Sequence, residues 1–172
     1  MDLSQVQQLI TNAINDNNVN MQQMITNAIE RNTNNLSVND IVYLQNRTLI
    51  LSDPSNIKLL PTNQQTEELC EIAVKKDGNT LKYIENQTEN ICKYAIMQTY
   101  DALKYVKNQT PSLCKLAICI SAYAFMHIDK PTRELYNMAI QCYPDATHDI
   151  DNYIRKNKGM PLELFLLYGY SF

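Results

Sequence analysis

The chain has 172 residues, enough for one compact domain or a short repeat array, and its 45% apolar content excludes wholesale disorder. A formal net charge of −3 excludes a general attraction to nucleic acid or to anionic membranes. No apolar run is long enough to span a bilayer, so we expect no association with a membrane.

Two similar stretches open the chain, fifteen residues apart: VQQLITNAI at 6–14 and MQQMITNAI at 21–29. Both place apolar residues at i, i+3, i+4, i+7 and i+8, which predicts a pair of amphipathic helices within residues 1–35. Residues 15–20 are poor helix formers and predict a break between them. The alternative is one long helix that forms a coiled coil. In either case this segment could join copies of the chain through Leu9, Ile10, Met21, Met24, Ile25 and Ile29.

The central part of the chain repeats with a period of 22 residues. The segment Asn-Gln-Thr at 86–88 returns at 108–110, Gln-Gln-Thr stands at 64–66, and Lys-Pro-Thr stands at 130–132. The chain therefore contains four copies of one unit, at residues 64–85, 86–107, 108–129 and 130–151. We call these copies units 1 to 4.

Apolar residues recur at fixed positions of the unit. Positions 6, 7, 10 and 11 follow the spacing of one helical face, and a Thr at position 3 can cap the start of that helix. The pattern breaks near positions 14 and 15, and positions 17, 18 and 21 predict a second, shorter helix. Neither helix is long enough to be stable alone, so each unit must pack against its neighbours. We predict an all-α fold, a short α-solenoid of helix-turn-helix repeats preceded by the amphipathic pair.

The array is expected to extend past its four clear copies. Residues 56–60 (NIKLL) resemble residues 80–84 (TLKYI), which predicts a degenerate capping repeat over 36–63. Residues 152–158 begin a fifth copy that then loses the pattern, so residues 152–172 are predicted to form a C-terminal cap. The apolar tail from Leu164 to Phe172 is expected to cover the last unit or to dock on another chain.

The repeated unit resembles a known family. The segments LCEIAVKKDGNTLKYIENQTENICKYAI (69–96) and ALKYVKNQTPSLCKLAI (102–118) look like the short helical tandem repeats of unknown function in mimivirus-like giant DNA viruses of amoebae. The resemblance covers roughly residues 56–151. It is weakest over 130–151, where Tyr136 replaces the cysteine at position 7 of the unit and the Asn-Gln pair is missing. It implies a viral helical array and supplies no catalytic residue.

The residues that could carry chemistry have simpler interpretations. Cys70, Cys92 and Cys114 occupy one column of the repeat without the close pairing of zinc ligands, which favours small core residues. The odd total of five cysteines fits free thiols in a reducing compartment better than a disulfide framework. The two histidines, His127 and His148, lack a catalytic motif around them. We therefore expect neither an enzyme nor a cofactor or metal site.

One recurring pair of residues suggests a binding surface. Lys82 and Tyr83 align with Lys104 and Tyr105, and His127 stands in the tyrosine column of unit 3. On the less buried side of the second helix, these residues form a candidate partner-binding face. Stacked aromatic rings beside lysine could follow a single nucleic-acid strand. Alternatively, the face is simply solvated and the rings cover neighbouring repeats, and the acidic balance of the chain argues against nucleic acid.

The sequence favours a non-enzymatic helical-repeat protein of a giant virus that offers a protein-protein interaction surface. Variable positions such as 75, 97, 119 and 141 are further places to look for a partner. The alternative is a structural component of the virion that self-assembles through residues 1–35. We expect host cytoplasm or the virus particle as the location, because residues 1–4 lack the features of a secretion signal.

Overall fold

The computed structural model describes residues 38–157 of the chain. Over this range it consists of α-helices and 3₁₀ helices (labelled η) and contains no β-strand, which confirms the all-α prediction for these residues. The predicted amphipathic pair and the apolar tail lie outside the described residues and stay predictions. The same holds for the six candidate contact residues Leu9, Ile10, Met21, Met24, Ile25 and Ile29.

An opening unit precedes the four copies. Its helix α1 spans Val38–Ser52, and the 3₁₀ helices η1 and η2 follow at Pro54–Leu59 and Thr62–Gln64. Ile57 on η1 and Leu60, which follows its last residue, are buried in the core. They correspond to the apolar residues at 81 and 84 in the alignment, so the opening unit contributes a similar 3₁₀ helix to the array.

In each of the four copies a ten-residue α-helix is followed by a 3₁₀ helix. The bounds are α2 Glu67–Lys76 with η3 Gly78–Tyr83, α3 Glu89–Gln98 with η4 Tyr100–Tyr105, α4 Pro111–Ile120 with η5 Ala122–His127, and α5 Arg133–Cys142 with η6 Pro144–Ala146. The predicted second helix is therefore a 3₁₀ helix. A segment this short gains more from i to i+3 hydrogen bonds, which close over fewer residues than those of an α-helix.

Threonine begins each α-helix, as the sequence predicts. The hydroxyl of Thr88 accepts a hydrogen bond from the backbone N–H of Ile91 at 3.3 Å, and the Thr of the other three units makes the same bond. In units 1 to 3, one extended residue then separates the two helices. In unit 1 this residue is Asp77. Its backbone N–H donates to the Ala73 carbonyl at the end of α2, and its carboxylate accepts from the N–H of Asn79 in η3. The turn thus closes one helix and opens the next.

The predicted core columns are buried. In units 1 to 3, the residues at positions 6, 7, 10, 11, 17, 18 and 21 are at most 5% exposed. The alanine at position 10 is fully buried in all four units, which lets neighbouring helices approach closely. The core therefore runs continuously from one unit to the next.

The helices pack in two rows. Each of α1 to α4 contacts the next α-helix along the chain, and η1, η3, η4 and η5 contact one another in the same order. Helices α3, α4 and α5 also pack on the 3₁₀ helix of the preceding unit. Contacts between successive units are what an α-solenoid requires, and the α-solenoid is our interpretation of this order.

The array changes at its end. In unit 4 the 3₁₀ helix is three residues long and leads into α6, Thr147–Asn157. The boundary predicted between residues 151 and 152 falls inside α6. Thr147 stands where other units have a large apolar residue, and it is only partly buried.

No helix within residues 38–157 has the length and apolar character needed to cross a membrane.

Candidate functional site

A glutamine at position 2 of the unit ties consecutive units together. The Nε2 atom of Gln87 donates to the carbonyl of Leu81 at 3.1 Å and to the carbonyl of Tyr105 at 2.9 Å. Its Oε1 atom accepts from the backbone N–H of Lys107 at 2.9 Å. One side chain thereby joins the ends of two adjacent 3₁₀ helices.

The same arrangement repeats on both sides. Gln65 donates to the Tyr83 carbonyl at 3.1 Å, and Gln109 donates to the His127 carbonyl at 2.9 Å. Their Oε1 atoms accept from the N–H groups of Glu85 and Asp129. The carbonyls that the three glutamines reach in the following 3₁₀ helix belong to residues 83, 105 and 127. These glutamines therefore hold the backbone of the predicted partner-binding face in register. We call them the glutamine clamps.

Lysine ammonium groups and tyrosine rings alternate along this face. The Nζ atom of Lys82 lies 4.8 Å from the centroid of the Tyr83 ring and 5.9 Å from that of Tyr105. Lys104 lies 5.0 Å from the Tyr105 centroid, and Lys58 lies 5.9 Å from that of Tyr83. These are cation–π distances, and we call the five residues the lysine–tyrosine ladder. The three lysines are exposed and the two tyrosines are half-buried.

His127 lies at the end of the ladder and has different partners. Its Nε2 atom is 3.1 Å from Oδ1 of Asp101, and its ring stacks on Tyr100 with centroids 6.3 Å apart. Lys104 lies 3.8 Å from the same carboxylate. Met126 takes the lysine position in unit 3. The structure thus brings four of the five predicted residues together and places His127 beside them, joined through Asp101.

The charges of the ladder are open to solvent. The side-chain interaction with Tyr83 raises the pKa of Lys82. In the part of the chain that the structure describes, no salt bridge involves Lys58 or Lys82. By contrast, four other lysines pair with a glutamate at 2.6 to 2.9 Å: Lys75, Lys93, Lys107 and Lys115.

The cysteines divide into two groups. Cys70, Cys92 and Cys114 are buried in the core, and burial raises the pKa of all three thiols, that of Cys70 to about 11. Cys119 and Cys142 are exposed free thiols. Within residues 38–157, no group of three or more His, Cys, Asp or Glu side chains is arranged to hold a metal ion. The core interpretation of the cysteine column therefore agrees with their position.

Sequence reasoning missed two parts of the site. Lys58 aligns with Lys82 in the comparison of residues 56–60 with 80–84, but it was not assigned to the face. In the sequence the glutamines appear only as markers of the repeat, because the backbone groups that they bind in the next unit lie 18 and 20 residues away. The recurring Gln column was the available signal. The variable positions 75, 97, 119 and 141 are all exposed, as a partner surface requires.

Comparisons with protein-family models, with curated proteins and with solved structures gave no match. The resemblance to giant-virus repeats therefore rests on the sequence segments alone.

Proposed function

We propose that this chain is a non-enzymatic helical-repeat protein that binds another protein through the lysine–tyrosine ladder. The observation that carries the proposal is the row of three exposed ammonium groups, Lys58, Lys82 and Lys104, held over two tyrosine rings. The glutamine clamps support it, because they fix the backbone beneath this row from unit to unit.

The ladder favours a protein over a nucleic acid. A base would have to stack on the face of a tyrosine ring. Tyr83 and Tyr105 each have two lysine ammonium groups within 6 Å of the ring centroid. A stacked base would displace these groups, whereas a carboxylate could reach them without moving the rings. The net charge of −3 adds no long-range attraction for a polyanion.

Origin and location belong to the same proposal. The resemblance of residues 56–151 to giant-virus repeats supports a viral protein, and we place it in the host cytoplasm or in the virus particle. The partner is then a host or viral protein.

The test is affinity capture from infected amoebae, followed by mass spectrometry. The ladder variant carries Lys58→Gln, Lys82→Gln and Lys104→Gln. The matched control carries Lys93→Gln, Lys107→Gln and Lys115→Gln, which removes the same charge from lysines that pair with glutamates.

We expect the wild type and the control to capture the same proteins and the ladder variant to lose them. Circular dichroism would verify that both variants are folded. If the folded ladder variant captures the wild-type set unchanged, the ladder is not the binding surface.

A further inference from the structure

The ladder presents one ammonium group per repeat. Lys58, Lys82 and Lys104 lie on η1, η3 and η4, which pack side by side. Packed helices lie about 8–10 Å apart. Each pair of neighbouring ammonium groups also shares one tyrosine ring, Tyr83 or Tyr105, within 6 Å of its centroid, so the three positive charges form a row with roughly that spacing.

Among the regular conformations of a peptide, one repeats its side chains at this distance. A polyproline II helix has three residues per turn and rises about 3.1 Å per residue, so every third side chain points the same way at intervals of about 9 Å. Side chains on one face of a β-strand recur at about 7 Å, and one turn of an α-helix rises about 5.4 Å. The row of lysines fits the polyproline II repeat best.

We infer that the ladder binds an extended acidic segment of a partner protein, in polyproline II conformation, with carboxylates at positions i, i+3 and i+6. The inference rests on the proposed function and specifies the partner's chemistry. Each carboxylate meets one lysine. The intervening residues lie beside the ladder, along the apolar side chain of Leu59, which is 63% exposed next to Lys58.

The number of carboxylates follows from where the ladder ends. In unit 3 the lysine position is occupied by Met126, and the neighbouring Asp101 carboxylate lies 3.8 Å from Lys104 and 3.1 Å from His127. A fourth acidic residue would meet no lysine and would approach Asp101. The footprint is therefore three acidic residues long.

The experiment measures the binding of fluorescein-labelled peptides to the full chain by fluorescence anisotropy at low ionic strength. Two peptides contain three glutamates and nine prolines each and differ only in whether the glutamates stand three or four residues apart. Both form polyproline II helices of equal charge, but four-residue spacing points the carboxylates in three different directions.

We expect the three-residue spacing to bind at least about five-fold more tightly than the four-residue spacing. Lys82→Gln should weaken the binding of the peptide with three-residue spacing by about five-fold, since the substitution removes one exposed ion pair. The control Lys93→Gln should leave the affinity unchanged, because Lys93 pairs with Glu89 on α3.

Equal affinities for the two peptides would overturn the inference. A thymidine oligonucleotide of equal charge is the second probe. If it binds more tightly than the peptide with three-residue spacing, and Lys82→Gln weakens its binding, the inference is overturned in favour of nucleic acid. If neither peptide binds while protein capture still depends on the ladder, the acidic segment is refuted and the proposed function stands. Capture that does not depend on the ladder refutes the proposed function itself.

Discussion

Gln87 satisfies three backbone groups that belong to two units. It donates to the carbonyls of Leu81 and Tyr105 and accepts from the N–H of Lys107. The Leu81 carbonyl also accepts from the N–H of Ile84, whereas the Tyr105 carbonyl and the Lys107 N–H lie at and just beyond the end of η4. The sequence showed that a glutamine recurs, but only the packing of two units showed what it binds.

Replacing Gln87 with methionine keeps the length of the side chain and removes its hydrogen bonds. We expect the free energy of unfolding to fall by about 1–3 kcal/mol, because the partly buried carbonyl of Tyr105 and the N–H of Lys107 lose their partner and the Leu81 carbonyl keeps only the N–H of Ile84. Chemical denaturation measures the change. Gln141→Met on the exposed face of α5 is the control and should change stability by less than about 0.5 kcal/mol. Equal effects of the two substitutions would show that Gln87 is no clamp.

Thiol reactivity is a second test at this scale. Iodoacetamide should modify Cys119 and Cys142 in the native protein, and should reach Cys70, Cys92 and Cys114 only after unfolding, because burial shields these thiols and raises their pKa. Peptide mapping by mass spectrometry identifies the modified residues. Rapid modification of Cys92 in the folded chain would contradict the position of this column in the core.

The two helices of a unit illustrate what periodicity can and cannot predict. The spacing of apolar residues located both helices and their buried faces, since amphipathicity depends on the positions of side chains along the chain. It did not distinguish a 3₁₀ from an α conformation over six residues. An extended residue precedes η3, η4 and η5 alike, and in units 1 and 3 its side chain, that of Asp77 or Ser121, also accepts from the N–H two residues on.

Gly78 opens η3 at a close contact between units 1 and 2. A Cβ atom added there would lie 2.4 Å from the carbonyl oxygen of Ala95 and 2.9 Å from Cγ2 of Thr99. We expect Gly78→Ala to lower the free energy of unfolding by about 1–3 kcal/mol, since η3 must move away from α3.

Thermal denaturation measures this effect. Ser112→Ala, an exposed change in the first turn of α4, serves as the control and should change stability by less than about 0.5 kcal/mol. A Gly78→Ala protein as stable as the wild type would show that the two units are farther apart than described.

The stability of the whole array should depend on alkaline pH. The fold raises the pKa of Cys70 from 9.0 to about 11 and that of Tyr136, buried and bonded to Asp151, from 10.0 to about 12. Below pH 9 both groups are neutral in the folded and the unfolded chain, and their contribution is complete. Above pH 9 these two groups lose their protons more readily in the unfolded chain than in the folded chain. The free energy of unfolding therefore falls between pH 9 and pH 12.

Urea denaturation at pH 8 and pH 11 measures this loss. For Cys70 alone we expect about 2 kcal/mol, since one pKa unit corresponds to about 1.4 kcal/mol. Cys70→Ala should reduce the difference between the two pH values. A urea midpoint that does not change from pH 8 to pH 11 would contradict the burial of both groups.

Self-association is the remaining prediction about the whole molecule. The alternative structural role requires that copies of the chain associate through the repeated sequence at 6–14 and 21–29, and in that case the oligomer depends on residues 1–35. Light scattering should give a multiple of the chain mass for the full chain and a single chain for a version that lacks this segment. If both are monomers, the structural alternative is excluded.

The sequence by itself determined the helical class, the phase of the repeat, the capping threonines and the buried columns, because each depends on residue types at fixed spacings within one unit. Only the tertiary structure decided which groups meet across units. Lys58, Lys82 and Lys104 come from three different units, and the glutamines bind carbonyls 18 residues away. Such contacts arise from how one unit packs on the next. The pattern of residues within a unit carries no information about the distance between side chains of different units.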